Sequence, residues 1–191
     1  MRRLASLIAL GLCGLIAPAA ARADRPATVA MGIGASVEST PLGVRAVATP
    51  ISLDAGAALA APLWWHVTAS FGSATLADHQ GDGHLFGLRT GPRLERCWDG
   101  TTCLGAGLEL GWGHARWAAM DDTSTVTRDG LDLGATLHAA VAIDPRRKVF
   151  LAATAGLAAR YAVRTDDPTR WATGDRLDTA ATVGVAFVVR N

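Results

Sequence analysis

Lysine is almost absent from this chain, which has a single one, Lys148, in a predicted turn. Charged residues make up 18% of the 191 residues and hydrophobic residues 50%. This composition departs from that of a soluble β-protein, whose outer face carries many charged side chains. After the N-terminal segment there is also no apolar run of about 18 residues, the length that a membrane-spanning helix needs. These two absences together favour a membrane protein built from strands.

The first 23 residues have the pattern of a cleaved signal peptide. Arg2 and Arg3 form a positive start, and the apolar run 4–16 is too short to span a bilayer comfortably. The small-residue site 21–23 and the preceding Pro18 argue against an uncleaved anchor. We therefore expect export, with cleavage after residue 23.

Cleavage leaves one domain, residues 24–191, with little net charge. Three of the 18 basic residues leave with the signal, so 15 face 17 acidic residues, a formal charge of −2. This balance argues against nucleic-acid binding. Cys97 and Cys103 remain, flanking an Asp-Gly turn, and export to an oxidising compartment predicts a disulfide between them. The segment offers too few ligands for a metal, and we expect no cofactor.

The most informative pattern is an alternation with a period of two. From Leu131 to Ile143 every odd position is apolar, while the even positions are small or polar. After a break at 144–148 the alternation resumes and continues to Val163. A period of two is typical of β-strands with one apolar face. Two long strands of this kind, joined by a short turn, favour a membrane β-barrel.

Alternation divides the whole mature chain into eight segments. They are predicted at 28–38, 44–59, 63–75, 84–96, 103–117, 131–143, 149–163 and 177–190. Short connections at one end (60–62, 97–103 and 144–148) alternate with longer polar ones at the other, except for the brief 39–43. This asymmetry is typical of outer-membrane barrels. We therefore predict an all-β fold, an eight-stranded antiparallel up-and-down transmembrane β-barrel preceded by a signal peptide.

The residues between the apolar positions indicate which face is outside. They are mostly glycine, alanine, serine and threonine, with isolated charges of both signs. Small residues suit a narrow lumen, whereas a water-exposed face needs many charged side chains. We therefore place the apolar face towards lipid. A soluble periplasmic lipocalin-like barrel that binds a ligand, with the opposite facing, is the alternative.

Charged residues on the inward face predict a salt-bridge network. If Cys97 faces Cys103, Glu109 has two arginines of the preceding strand as diagonal neighbours. A tight turn at 144–148 would set Asp132 opposite Arg160. The predicted network is centred on Arg89, Arg93 and Glu109, has His138 nearby, and includes Asp132 and Arg160. We interpret it as a plug that satisfies buried charge, and a gate or ion path is the alternative.

Aromatic residues predict two interface girdles. Trp65 lies near the short-turn end, and Trp112 and Tyr161 lie near the long-loop end, all with outward parity. Trp64 and Trp117 accompany them without that parity. Ordinary packing is the alternative interpretation.

No catalytic motif stands out in the sequence. His66, Thr68 and Ser70 share one strand face, but a serine and a histidine four residues apart on a strand are separated by about 13 Å. A nucleophilic pair needs hydrogen-bond contact and an orienting acid. We therefore predict that the protein is not an enzyme.

On its alternation and loop lengths, the mature chain resembles the small eight-stranded outer-membrane barrels, the OmpA/OmpX-like superfamily. The resemblance implies location in the outer membrane, contact with outer-membrane lipid and insertion by the barrel-assembly machinery. Such barrels commonly end in an aromatic residue, whereas this chain ends Phe-Val-Val-Arg-Asn. We predict a structural, envelope or surface-interaction role with an unidentified external partner. A porin-like narrow pore for small solutes is the alternative.

Overall fold

Eight β-strands make up most of the described part of the chain. The computed structural model describes residues 26–39, 45–76, 82–118, 125–166 and 177–191. The strands are β1 (Ala27–Ser39), β2 (Arg45–Ala60), β3 (Leu63–Leu76), β4 (Asp82–Trp98), β5 (Thr102–Ala118), β6 (Thr125–Ala142), β7 (Val149–Asp166) and β8 (Leu177–Arg190). The signal peptide predicted at 1–23 lies outside the described residues. None of the described residues form a helix long and apolar enough to span a bilayer.

The strands close into a barrel in chain order. Each strand pairs with the next in antiparallel register, and β1 also pairs with β8. Closure leaves no unpaired strand edge, which is the condition for crossing a membrane with strands. The predicted eight-stranded antiparallel barrel is confirmed.

Two strands extend at one end by three or more residues beyond the limits that the sequence pattern predicted. β6 begins at Thr125, although the alternation starts at residue 131, and β7 continues to Asp166. The added segment of β6 is polar, yet it pairs with β5. Strand pairing uses backbone hydrogen bonds, so it continues where the apolar side chains stop. These extensions carry the sheet beyond the apolar band.

The short turns follow their sequence signals. Asp99 and Gly100 both have positive φ, which suits the tight turn between β4 and β5. In the turn between β6 and β7, the Asp144 carboxylate accepts hydrogen bonds from the backbone N–H groups of Val149 at 2.6 Å and Lys148 at 2.8 Å. These hydrogen bonds hold the pKa of Asp144 below its usual range.

The barrel carries its apolar residues outside and its polar residues inside. Large apolar side chains such as Leu137, 63% exposed, cover the outer surface, whereas Asp132 is only 1% exposed. Alanines line much of the remaining interior, with Phe150 among the few large residues. The predicted facing is therefore present. The opposite facing of a lipocalin-like barrel is not the one that the structure has.

A charge in the middle of the apolar outer band tests this facing. Leu137→Arg places a cation at the centre of the outward series 131–143, so we expect a loss of about 2–4 kcal/mol in unfolding free energy. Ile143→Arg lies at the edge of the band and is the matched control, with an expected loss of about 0–1 kcal/mol. Urea unfolding in lipid vesicles measures both. Equal losses would contradict the lipid-facing assignment.

Candidate functional site: three charge clusters in the lumen

A first cluster, the turn-end cluster, lies in the lumen beside the short turns. Arg190 donates from Nη2 to Glu95 Oε1 at 2.6 Å and from Nη1 to Cys97 Sγ at 3.2 Å. Its guanidinium carbon lies 4.5 Å from the centre of the Phe150 ring. His138 Nδ1 is 3.4 Å from Glu95 Oε2. One arginine therefore joins the last strand to β4 across the lumen.

The predicted disulfide is part of this end of the barrel. Cys97 and Cys103 are joined by an S–S bond, with their Cα atoms 4.0 Å apart. They are direct partners in the β4–β5 ladder. Cys103 is fully buried, and Cys97 carries the sulfur that Arg190 contacts. The bond clamps the hairpin that supports the turn-end cluster.

A second cluster, the middle cluster, gathers around Asp54. Thr68 Oγ1 donates to Asp54 Oδ2 at 2.7 Å, and His66 Nδ1 lies 2.8 Å from Asp54 Oδ1. Arg93 Nη2 lies 3.6 Å from Asp54 and 3.8 Å from Glu109. The His66 imidazole and the Thr68 hydroxyl, both on this face of β3, thus contact the same carboxylate. Asp54 and Glu109 therefore share the Arg93 guanidinium, while His66 contacts Asp54 alone of the two.

A third cluster, the loop-end cluster, is centred on Asp132. Its carboxylate accepts from Arg160 Nε at 2.7 Å and Nη2 at 3.2 Å, and from Arg89 Nε at 3.2 Å and Nη2 at 3.1 Å. Arg160 also lies 3.7 Å from Glu38. These four charged hydrogen bonds satisfy the buried carboxylate, whose burial without partners would be very unfavourable.

The grouping differs from the predicted network in its centre. The prediction put Arg89 beside Glu109, whereas in the structure Arg89 bonds to Asp132, and Glu109 has Arg93 as its nearest described cation. The reason is the register. Arg89 pairs with Gly111 on β5, and Gly111 pairs with Asp132 on β6. An added Cβ at Gly111 would meet the Leu88 carbonyl oxygen and the Arg89 side chain, so only glycine fits where β4 and this arginine lie against β5.

The other predicted positions are distributed among the three clusters. Asp132 does lie opposite Arg160, as the turn at 144–148 implied, and His138 contacts Glu95 in the turn-end cluster. Five further charged or titratable residues enter the clusters without having been assigned to the predicted network. These are Glu38, Asp54, His66, Glu95 and Arg190. Inward parity was the available signal for all five.

The predicted interface aromatics lie on the outer surface. Trp65, Trp112 and Tyr161 are exposed, and Trp65 Nε1 donates to Thr90 Oγ1 at 2.8 Å. Trp112 and Tyr161 share one row near the long-loop end, because both pair with Leu131. The side chain of Trp117 lies outside the described residues. Trp64 lies beside the turn-end cluster, its ring 5.7 Å from the Arg190 guanidinium carbon.

A cavity of about 170 Å³ lies within the lumen. Its lining includes Asp54, His66 and Arg93, and its limits include Arg160 at one end and Arg190 at the other. A water molecule needs roughly 10–15 Å³ of such volume, so there is room for several. The buried His66 Nε2 has no hydrogen-bond partner among the described protein atoms.

No protein-family model and no curated protein match the sequence. The structure is similar to Neisserial surface protein A (TM-score 0.64, 16% identity, covering 85% of this chain and 96% of that one). It is also similar to Ail, the attachment invasion locus protein of Yersinia pestis (0.54, 13%, 87% and 98%). A third similar structure is OprG, an outer membrane protein from Pseudomonas aeruginosa (0.54, 11%, 86% and 95%). The chain has the fold of the small outer-membrane barrels, as the resemblance implied.

Removing the charge at the centre of the loop-end cluster tests its structural weight. Asp132→Asn leaves Arg89 and Arg160 without their shared carboxylate, so we expect a loss of about 3–5 kcal/mol in unfolding free energy. Asp129→Asn is the matched control. It breaks the partly exposed pair with His114 (2.7 Å), and we expect at most about 1 kcal/mol. Chemical unfolding in vesicles measures both losses, and similar values would show that Asp132 stabilises the barrel no more than Asp129 does.

Proposed function

We propose that this protein is an outer-membrane barrel with a structural, envelope or surface-interaction role, and that charged side chains plug its lumen. The observation that carries the proposal is an ion-pair cluster near each end of the lumen, Arg190 with Glu95 at one end and Asp132 with Arg89 and Arg160 at the other. The apolar outer surface supports insertion in lipid, since a closed barrel with this facing buries its apolar side chains only in a bilayer.

The two end clusters oppose the passage of solutes. At one end Arg190 bonds to Glu95, and at the other Asp132 bonds to Arg89 and Arg160. A solute that crosses the lumen must separate charged groups at both places. Leaving a buried charge without its partner costs about 3–5 kcal/mol, so two separations in series form a substantial barrier. This arithmetic supports a plug over an open path.

The partners under this proposal are outer-membrane lipid, the barrel-assembly machinery during insertion, and an external molecule that meets the long-loop end. The names of two similar structures support the last point. One is called a surface protein and the other an attachment invasion locus protein. At 16% and 13% identity their roles are a proposal for this chain and no more. We further propose that residues 1–23 are removed on export.

A narrow pore for small solutes is the second candidate. The observation that favours it is the lumen cavity of about 170 Å³, lined by Asp54, Arg93 and other polar groups. A wet chamber between two clusters becomes a path if both clusters open together. Under this alternative the end clusters act as gates.

Heat-dependent migration tests the membrane barrel. We expect the protein in the detergent-extracted outer-membrane fraction, and we expect boiled and unboiled samples to migrate differently in a gel, because a closed barrel resists detergent until heated. A soluble periplasmic protein with no shift would overturn the proposal.

Single-channel recording separates plug from pore. In planar bilayers we expect no steady conductance from the native barrel. The double variant Glu95→Gln/Asp132→Asn, which weakens both end clusters, should conduct, since the cavity then connects with both mouths. Asp129→Asn, an outer-face change, is the control and should stay silent. Steady conductance of the native protein would favour the pore.

A further inference from the structure

Four cations gather at two neighbouring short turns. Arg96 ends the outer face of β4, while Arg146, Arg147 and Lys148 belong to the β6–β7 turn, and all four are exposed. We call these four residues, together with Trp98, the cationic turn patch. Asp99 and Asp144 are the carboxylates of the same two turns, so four positive charges meet two negative ones. The patch keeps an excess of two positive charges.

The patch is held together by contacts between the two turns. Arg147 Nη1 donates to the Asp99 carbonyl at 2.5 Å, and Ala142 N–H donates to the Thr101 carbonyl at 2.7 Å. The Asp144 carboxylate is directed to backbone N–H groups of its own turn. The cations therefore stand on a fixed surface, and one of its two carboxylates, that of Asp144, is occupied by backbone N–H groups.

The position of the patch matches the boundary of the lipid-facing surface. Arg96 pairs with Leu104, an exposed apolar residue of the outer face. The Arg96 guanidinium carbon lies 5.8 Å from the Trp98 ring, and Trp98 is 45% exposed. An arginine and a tryptophan at the end of an apolar band occupy the level of lipid headgroups. Ile143, also exposed and apolar, ends the band on the adjoining turn.

The charge is also confined to one side of the barrel. The short turn between β2 and β3 is Ala61-Pro62 and carries no charge. The patch is thus a local feature on the β4–β7 side, among the described residues, rather than a uniform belt. A local excess of cations at headgroup level is complementary to phosphate.

We propose that the cationic turn patch binds the headgroups of anionic phospholipids in the leaflet around the short-turn end. The inference rests on the proposed membrane location, because the patch meets lipid only if the barrel is inserted. Arg96 with Trp98 contacts the glycerol-phosphate level, and the turn cations bind phosphate from the aqueous side. Anionic lipid then collects at one side of the barrel.

Lipid retention measured by native mass spectrometry tests this. The full mature chain is inserted in vesicles of phosphatidylcholine and phosphatidylglycerol, extracted mildly, and its retained lipids are counted. We expect the native protein to retain phosphatidylglycerol preferentially. Each cation near an anionic surface contributes about fivefold in binding, so Arg96→Gln/Arg146→Gln/Arg147→Gln/Lys148→Gln should abolish the preference.

Matched variants separate charge from folding. Arg96→Lys/Arg146→Lys/Arg147→Lys keeps the charge and should keep the preference. Arg96→Gln/Arg146→Gln/Lys148→Gln leaves the Arg147 contact with Asp99 intact and should still lose most of it, which covers the case in which the fourfold variant fails to fold. Arg116→Gln, at the opposite end of the outer face, should retain the native preference. Heat-dependent migration in a gel shows whether each variant still forms the barrel.

The contradicting outcomes are specific. Equal retention of both lipids by the native protein, or an undiminished preference in the glutamine variants, would overturn the proposal. If the glutamine variants lose binding to soluble peptidoglycan fragments but keep their lipid preference, the patch serves the cell wall and the lipid assignment is wrong. A native chain that neither inserts in vesicles nor shifts on heating would instead overturn the proposed membrane location.

Discussion

The buried carboxylate of Asp132 is the interaction on which the inside of this barrel depends. It lies in a row that crosses four neighbouring strands, with Arg89 on β4, Gly111 on β5 and Arg160 on β7. Asp132 is only 1% exposed, so its charge needs partners inside the protein. Arg89 and Arg160 supply these partners, and Gly111 leaves space for the Arg89 side chain. The inward pattern of small and charged residues follows from this need for partners.

Much of the fold could be predicted from the sequence, because a barrel strand repeats every two residues. The strand count, the outward facing of residues such as Leu137 and the Cys97–Cys103 pair all come from local pattern. Registers across short turns could also be predicted, as in the pairing of Asp132 with Arg160. Strand ends could not, because β6 continues through polar residues that lack the apolar alternation.

The centre of the charge network lay beyond sequence reasoning for a specific reason. The contact between Arg89 and Asp132 can be predicted only when the register between β5 and β6 is known. A polar connection without a tight-turn signal joins these strands, so the sequence does not give that register. Parity shows that a residue faces inward, but loop length does not fix its height in the lumen. Arg190 was missed for another reason: its partner Glu95 is 95 residues away in the chain, across the lumen.

That distant pair has a consequence for the order of assembly. Arg190 stands in the last strand, and its contacts with Glu95 on β4 and with the Phe150 ring on β7 require that strand to be in place. The hairpins from β2 to β8 can pair locally, whereas the contact between Arg190 and Glu95 has to wait until the sheet curls and brings β8 across from β4. The contact between Arg190 and Glu95 therefore marks the completed barrel, and the turn-end cluster forms in the same event.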